Sequence, residues 1–132
     1  MRAGVLDGYV LDSYSARKLG LRTTGNAGGV HNLIVHPSLN DFESLLRLMG
    51  RGLVVTELMG QGVNGVTGDY SRGASGFWVE NGEIVHPVNE VTIAGNLRQM
   101  YRDLVAVGSD VDLRGSVRTG SILVAEMTIA GD

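Results

Sequence analysis

The stretch FWVENGEIVHPV, residues 77–88, predicts a β-hairpin more clearly than any other part of the chain. Asn81-Gly82 at its centre suits a two-residue type I′ turn, because both central residues of that turn need a positive φ. A two-residue turn also fixes the register of the flanking strands. The expected cross-strand pairs are Val79 with Ile84 and Trp78 with Val85.

Further strands are predicted on both sides of this hairpin. A glycine-rich stretch that runs to Gly76 separates the hairpin from the preceding strand, and Pro37 stops an earlier one. A short helical turn is expected over 13–19. The strand candidates are residues 4–12, 30–35, 52–59 (GLVVTELM), 91–94 and 121–129 (SILVAEMTI).

Two amphipathic helices are marked by capping residues and by apolar spacing. The first begins at Asn40, with Glu43 in the third position of a capping box, and Gly50 ends it. The second begins at Asn96 and ends at Gly108. The apolar faces are Phe42, Leu45, Leu46 and Met49 in the first helix and Leu97, Met100, Tyr101, Leu104 and Val105 in the second.

Together these elements predict an α+β fold, with a mostly antiparallel, curled or barrel-like β-sheet and two amphipathic helices. One domain is expected over residues 1–132, because this length and an apolar fraction of 43% suit a single hydrophobic core. Twenty glycines against two prolines indicate many turns and bulges between short strands. The pattern leaves open whether the sheet closes.

Composition argues against several kinds of site and partner. The chain has no cysteine, which rules out disulfides, thiolate zinc ligands and cysteine nucleophiles. Its formal net charge is −3 and its eleven basic residues are scattered, whereas a duplex-binding protein gathers a basic face. Asp7 and Asp12 stand where a signal peptide needs an apolar run, and no stretch approaches the roughly 20 apolar residues that span a bilayer. We expect a cytoplasmic protein that binds neither nucleic acid nor a membrane.

Patterns for a catalytic centre are weak. His31 and His36 are five residues apart on a predicted strand, so they should point to opposite faces and cannot share a metal ion. His86 has no second ligand at a useful spacing. No H-E-x-x-H pair and no G-x-S-x-G elbow occurs, and the similar segment at 73–76 leads into a strand. We expect neither a metal site nor a catalytic residue in this chain.

Residues 60–65, GQGVNG, fit the dinucleotide-binding pattern G-x-G-x-x-G. That motif holds phosphates only where a helix begins at its last glycines. The sequence that follows has no helical apolar period, so a turn-rich loop is the better interpretation. Asp69 lies in the same stretch and could orient backbone amides, with an Asx turn as the alternative role.

Two long segments carry a resemblance to a known family. VVTELMGQGVNGVTGDYSRGASGFWVENGEIVHPVNEVTIAGNL (54–97) resembles the C-terminal region of the TldD/PmbA family, most closely its PmbA branch, also called TldE. GVLDGYVLDSYSARKLGLRTTGNAGG (4–29) matches the same family, so the resemblance covers essentially the whole chain. It corresponds to roughly the final third of a typical member, without the N-terminal and middle parts.

The resemblance implies one subunit of a cytoplasmic, zinc-dependent peptidase that acts on peptides and unfolded polypeptides. In that family the TldD-type subunit carries an H-E-x-x-x-H motif and a cysteine ligand, and this chain has neither. The PmbA-type subunit is the one expected to lack a metal, so zinc is expected only in a TldD-type partner. The family is also labelled a modulator of DNA gyrase, but the acidic composition here gives no support for direct DNA contact.

We therefore expect a non-catalytic subunit that forms a heterodimer with a TldD-type subunit. The glycine-rich stretch 60–76 is the candidate surface for substrate or partner, because small residues let another backbone approach closely. Uncovered sheet edges would also favour an oligomer. The polar contacts would come from Gln61, Asn64, Asp69, Tyr70 and Arg72.

Three other interpretations stay open at this point. The glycines could do no more than shape tight turns. The chain could be a stand-alone β-rich interaction or scaffold domain with no peptidase role. It could also catalyse directly, with a metal recruited through His31, His36 or His86, which would require stoichiometric zinc in the purified protein.

Overall fold

The computed structural model describes residues 5–27 and 29–131. Its contacts divide the chain into two units, a smaller one made of the residues up to Ile34 with Leu113–Arg118, and a larger one made of Val35–Asp112 with the residues from Thr119 onward. A single domain over residues 1–132 stays a prediction. In chain order the elements are α1 (Ser13–Lys18), β1 (Leu33–Ile34), α2 (Phe42–Met49), β2 (Gly52–Met59), β3 (Asp69–Glu80), β4 (Glu83–Asn96), α3 (Leu97–Arg102), β5 (Leu104–Val107), β6 (Val117–Arg118), β7 (Ile122–Val124) and β8 (Thr128–Ala130).

In the smaller unit, α1 confirms the predicted helical turn, and Asp12 caps it by accepting a hydrogen bond from the amide of Ser15. The strand expected over 4–12 is wrong for residues 6–12, which form none. The strand expected over 30–35 shrinks to the two residues of β1, which pair in parallel with β6. Both segments lack a neighbouring strand long enough to complete a ladder, so their alternation does not become sheet.

The larger unit is built on a four-stranded antiparallel sheet in the order β2-β3-β4-β8. The predicted hairpin forms, with φ of 53° at Asn81 and 78° at Gly82. The expected pair of Val79 with Ile84 is confirmed. The pair of Trp78 with Val85 is wrong, because a register shift between Trp78 and Val79 places His86 opposite Trp78.

This sheet is open, with β2 and β8 at its two edges. The α+β class and the mostly antiparallel pairing are confirmed, while closure into a barrel is not observed in the described residues. The glycine-rich stretch is only partly a loop, since β3 already begins at Asp69 and contains Gly73 and Gly76. A glycine is required at position 76, because a side chain there would collide with the carbonyl of Val54 on β2.

The two amphipathic helices form, with corrected boundaries. The N-cap of α2 is Asp41 rather than Asn40, and its Oδ1 accepts a hydrogen bond from the amide of Ser44 at 2.8 Å. Asn96 caps α3 as expected. However, α3 ends at Arg102, and the apolar residues that follow it form β5 instead of another helical turn. Pairing with β7 gives this segment, which contains two β-branched valines, a partner strand.

The sheet carries a small apolar core. Ala74, Val91 and Ile93 are buried together, and Tyr70 is among the half-buried residues that pack on them. The predicted closing strand over 121–129 is interrupted, so β7 pairs with β5 while β8 joins the edge of the large sheet. Among the described residues, no helix has the length and apolar character needed to cross a membrane.

Candidate functional site

Three of the five candidate contact residues surround one shallow depression. Gln61, Asn64 and Asp69 are all exposed, and they lie at a depression of about 500 Å³ between the end of β2 and the start of β3. The remaining lining residues are mostly small: Gly62, Val63, Gly65 and Ser71. The surface therefore combines accessible backbone with a few polar side chains.

Asn64 is used mainly to hold the loop. Its side-chain Oδ1 accepts hydrogen bonds from the amides of Val66 at 2.9 Å and Thr67 at 3.1 Å, which is an Asx turn. Its backbone also closes the loop, donating to the carbonyl of Asp69 and accepting from the amide of Gly68, both at 2.8 Å. The Asn64 side chain therefore serves mainly to stabilise the turn.

The Asp69 side chain is also held by hydrogen bonds within the protein. Its Oδ2 accepts a hydrogen bond from the Thr67 hydroxyl at 2.6 Å, and its Oδ1 accepts one from the Asn96 amide at 3.4 Å. The Asn96 amide also donates to the Thr67 carbonyl at 3.1 Å, and the side chain of Asn96 caps α3. Asp69 therefore ties the loop to the start of α3 through side-chain hydrogen bonds, and no Asx turn forms at Asp69; the Asx turn in this loop is formed by Asn64. Of the three candidates at the depression, Gln61 is the one whose side chain makes no hydrogen bond among the described residues.

Tyr70 and Arg72 lie on the opposite face of β3. Side chains alternate along a strand, so these two share the face of Ala74, which is fully buried. Tyr70 packs against the apolar core there. The sequence grouped all five residues in one loop, but the strand that begins at Asp69 separates them into two sets.

Arg72 is placed unusually for a charged residue. It stands opposite the buried Ile93 in the register of β3 and β4. Its Nη2 donates to the carbonyl of Leu58 at 3.4 Å, a long contact, and its Nε is buried without a hydrogen-bond partner. No carboxylate is described in an ion pair with it. A half-buried guanidinium with one donor left without a partner is costly to keep.

The G-x-G-x-x-G look-alike behaves as the sequence indicated. Residues 60–65 lead through a turn into β3 and not into a helix. Gly62 is needed for another reason, since a side chain there would collide with the carbonyl of Ser71. This carbonyl lies close because the amide of Ser71 donates to the carbonyl of Gly62 at 2.7 Å.

The described residues do not fit a zinc centre. No three histidine, aspartate or glutamate side chains among them come together closely enough to hold a metal ion. His31 and His36 lie outside the two-residue strand, so the opposite-face argument for them no longer applies, and each is exposed. The Nδ1 of His86 lies 3.1 Å from the carbonyl of Pro87.

The perturbed carboxylates are structural. Two hydrogen bonds from Ser121, chiefly the one from its hydroxyl, hold the pKa of Asp110 below its ordinary value. The hydroxyl donates to Oδ2 at 2.6 Å and the amide donates to Oδ1 at 3.0 Å. Hydrogen bonds at the helix N-caps lower the pKa of Asp12 and of Asp41 in the same way. None of these groups lines the depression.

A feature that the sequence did not reveal lies along β2. Two adjoining cavities, of about 690 and 510 Å³, are lined mostly by apolar side chains. The first lies beside α2 and the second beside α3. The cavities share four residues, Val55, Ile93, Ile122 and Val124. Only the exposed apolar character of β2 could have indicated this groove, because its other wall comes from β7, distant in sequence.

Comparison with known proteins identifies the family to which the sequence is similar. The family model described as the PmbA/TldA metallopeptidase C-terminal domain matches residues 1–131. The chain is 59% identical over 131 residues to the metalloprotease PmbA of Escherichia coli O157:H7, covering 99% of this chain and 29% of that protein. It is 57% identical over 130 residues to a PmbA homologue of Haemophilus influenzae, with 98% and 29% covered. The chain thus spans less than a third of these relatives.

More distant matches include the other branch and two solved structures. A TldD homologue of Haemophilus influenzae is 25% identical over 126 residues, covering 86% of this chain and 26% of that protein. A proposed modulator of a DNA gyrase from Thermotoga maritima superposes with a TM-score of 0.85 at 41% identity, covering 96% of this chain and 31% of that one. One from Bacteroides thetaiotaomicron gives 0.88 at 34% identity, covering 97% and 29%.

Proposed function

Because the chain belongs to the PmbA/TldD metallopeptidase family, as part of its C-terminal domain, we propose that it serves in a PmbA-type, non-catalytic subunit of a zinc-dependent peptidase complex. The partner is a TldD-type subunit, and the two form a heterodimer. The substrate is a peptide or an unfolded polypeptide in the cytoplasm.

The observation that carries this proposal is the difference between the two branches. Within Haemophilus influenzae the chain is 57% identical to the PmbA homologue and 25% identical to the TldD homologue. The presence of both types in one organism supports two distinct roles for them. This chain is more similar to the PmbA type.

The chemistry of the chain is consistent with a subunit that contributes no metal. It has no cysteine and no H-E-x-x-x-H sequence, and its described residues offer no group of three ligands. A TldD-type partner would supply the zinc, which polarises a peptide carbonyl and activates water when bound. This chain's own residues would bind and orient polypeptide, without moving a proton.

The proposed contact residues remain Gln61, Asn64, Asp69, Tyr70 and Arg72, now divided by their geometry. Gln61 offers a free amide at the depression, next to backbone that glycine leaves accessible. Asn64 and Asp69 shape that backbone. Tyr70 and Arg72 would act on the other face of β3.

Co-purification tests the subunit role. The TldD homologue of Haemophilus influenzae is mixed with this chain and, separately, with the full-length PmbA homologue, and complex formation and peptidase activity are measured. We expect a heterodimer with the full-length protein, and peptidase activity that requires the TldD-type chain. If neither protein binds although both are folded, the subunit proposal fails and a stand-alone interaction domain is favoured. If only the full-length protein binds, docking lies outside this chain.

Paired variants test the contact surface. Gln61→Ala should weaken binding of partner or peptide by about tenfold, or roughly 1.4 kcal/mol, without changing the melting temperature. Gln99→Ala on α3, which lies outside the depression and removes hydrogen bonds to Asp103, is the control and should leave binding unchanged. Equal binding by both variants would remove Gln61 from the contact surface.

A further inference from the structure

The β2 strand is an unusually exposed sheet edge. It pairs with β3 on one side, and no other described strand pairs with its outer side. Its sequence, GLVVTELM, contains a single charged residue, Glu57, and a single irregularity, the register shift between Val55 and Glu57. Natural proteins usually protect such an edge with charges, prolines or a covering element. Here one charge and one irregularity are the only such protection within the strand, and five of its eight residues are large and apolar.

The apolar groove described above runs along this edge. Its two cavities share Val55 on β2 and Ile122 on β7, so they form one continuous surface. These side chains are 37% and 48% exposed, and Leu58 beside them is 40% exposed. Large exposed apolar surfaces on soluble proteins usually mark interaction sites, so this groove is expected to be covered when the protein functions.

The accessible surface of the chain gives the same indication. It totals 9714 Å², whereas a folded monomer of this mass exposes roughly 6,700 Å². The excess is about 3,000 Å² by that comparison. Obligate interfaces bury about 2,000–5,000 Å² in total, with about half from each partner. The excess comes from both units, and the exposed apolar side chains of Val55, Leu58 and Ile122 at the groove are one part of it.

We propose that the groove is filled by an apolar β-strand from the region that precedes this one in the longer family chains, paired with the outer edge of β2. The E. coli relative matches this chain with only 29% of its length, so most of its residues lie outside the region compared. The solved structures keep this fold within chains of which it covers about the same share. A tethered segment also has a high effective concentration and needs no separate partner. This inference goes beyond the subunit role and does not depend on it.

Hydrogen exchange at the β2 amides tests the proposal. This chain and the full-length PmbA of Escherichia coli O157:H7 are compared, each without a TldD-type subunit. We expect exchange of the outward-facing β2 amides to be about 100-fold slower in the full-length protein, because edge hydrogen bonds become paired. The amides of β3, which are already flanked by strands on both sides, serve as the internal reference and should change far less.

A charge in the groove provides the matched variant. In this chain, Val55→Lys and Val85→Lys should have similarly small effects on melting temperature, because Val55 is 37% exposed and Val85 is 54% exposed. A lysine at the position aligned with Val55 in the full-length protein should speed β2 exchange at least about tenfold, since the charge cannot be buried under a covering strand.

Each other outcome overturns the proposal. Equal β2 exchange in the two proteins would show that the upstream region leaves the edge open. Protection that appears only after a TldD-type subunit is added would assign the groove to the partner. Protection that grows with the concentration of this chain alone, to the level of the full-length protein, would assign it to a second copy.

Discussion

Gly82→Ala should destabilise the larger unit through both the backbone conformation and a close contact of the added methyl group. Gly82 occupies the hairpin turn with φ of 78°, and an L-residue in that region costs about 1 kcal/mol. The added Cβ would also lie 2.9 Å from the Cα of Arg47, a backbone atom of α2 that cannot rotate away. Forcing an atom into such a contact costs a further 1–3 kcal/mol, roughly. The free energy of unfolding should therefore fall by about 2–4 kcal/mol.

The matched control for this change is Gly60→Ala. Gly60 has nearly the same φ, 76°, but a Cβ there would meet nothing within 4 Å. It should lose only the conformational part, about 1 kcal/mol. Urea unfolding followed by the fluorescence of Trp78, the one tryptophan in the chain, measures both. The amide of Gly82 donates to the carbonyl of Gly50 at 2.8 Å, which holds the turn against α2. Equal losses in the two variants would refute this docking of the hairpin on the helix.

Three further changes are predicted. Glu90→Gly should stabilise the chain by about 0.5–1 kcal/mol in urea unfolding, because Glu90 has a φ of 57° that an L-residue tolerates poorly; a loss would show that its side chain matters more than its backbone. Asp110→Asn should lower the melting temperature at neutral pH and flatten its dependence on acid pH. The lowered pKa of Asp110 contributes stability that is present above the ordinary value of 3.8 and is lost as pH falls through the folded-state pKa. An unchanged profile of melting temperature against pH would contradict this. Arg72→Met should leave the free energy of unfolding unchanged or raise it by up to about 1 kcal/mol in the same urea assay, because it removes a buried unsatisfied donor while keeping apolar volume; a loss above that size would reveal a missed partner.

Sequence pattern was sufficient where local signals and tertiary structure agree. The Asn81-Gly82 turn needs two positive φ values, β2 lies between glycines, and α2 lies between an Asp cap and Gly50, so these elements follow from local chemistry. The sequence pattern failed where contacts with distant segments determine the secondary structure. The residues after Arg102 fit a helical face as well as a strand, and only pairing with β7 selects the strand.

The candidate site shows the same division. The glycines near 60–76 suggested one continuous loop, but glycines in β3 reflect close packing against β2, which no local rule reveals. Once β3 is recognised, the alternation of side chains separates Tyr70 and Arg72 from Asp69. The β2 groove could not be predicted either, because its walls come from segments about 65 residues apart, whose approach depends on long-range pairing.

The zinc content of separated chains is the most direct test of the central claim, that this chain belongs to the subunit without the metal. The complex of a TldD-type subunit with the full-length PmbA homologue is purified and dissociated, and zinc is measured by mass spectrometry in each chain and in this chain expressed alone. We predict zinc that follows the TldD-type chain, and only trace amounts in the other two samples. Stoichiometric zinc in this chain, removed by substituting His31, His36 or His86, would contradict the claim and make the chain itself a metal-binding catalyst.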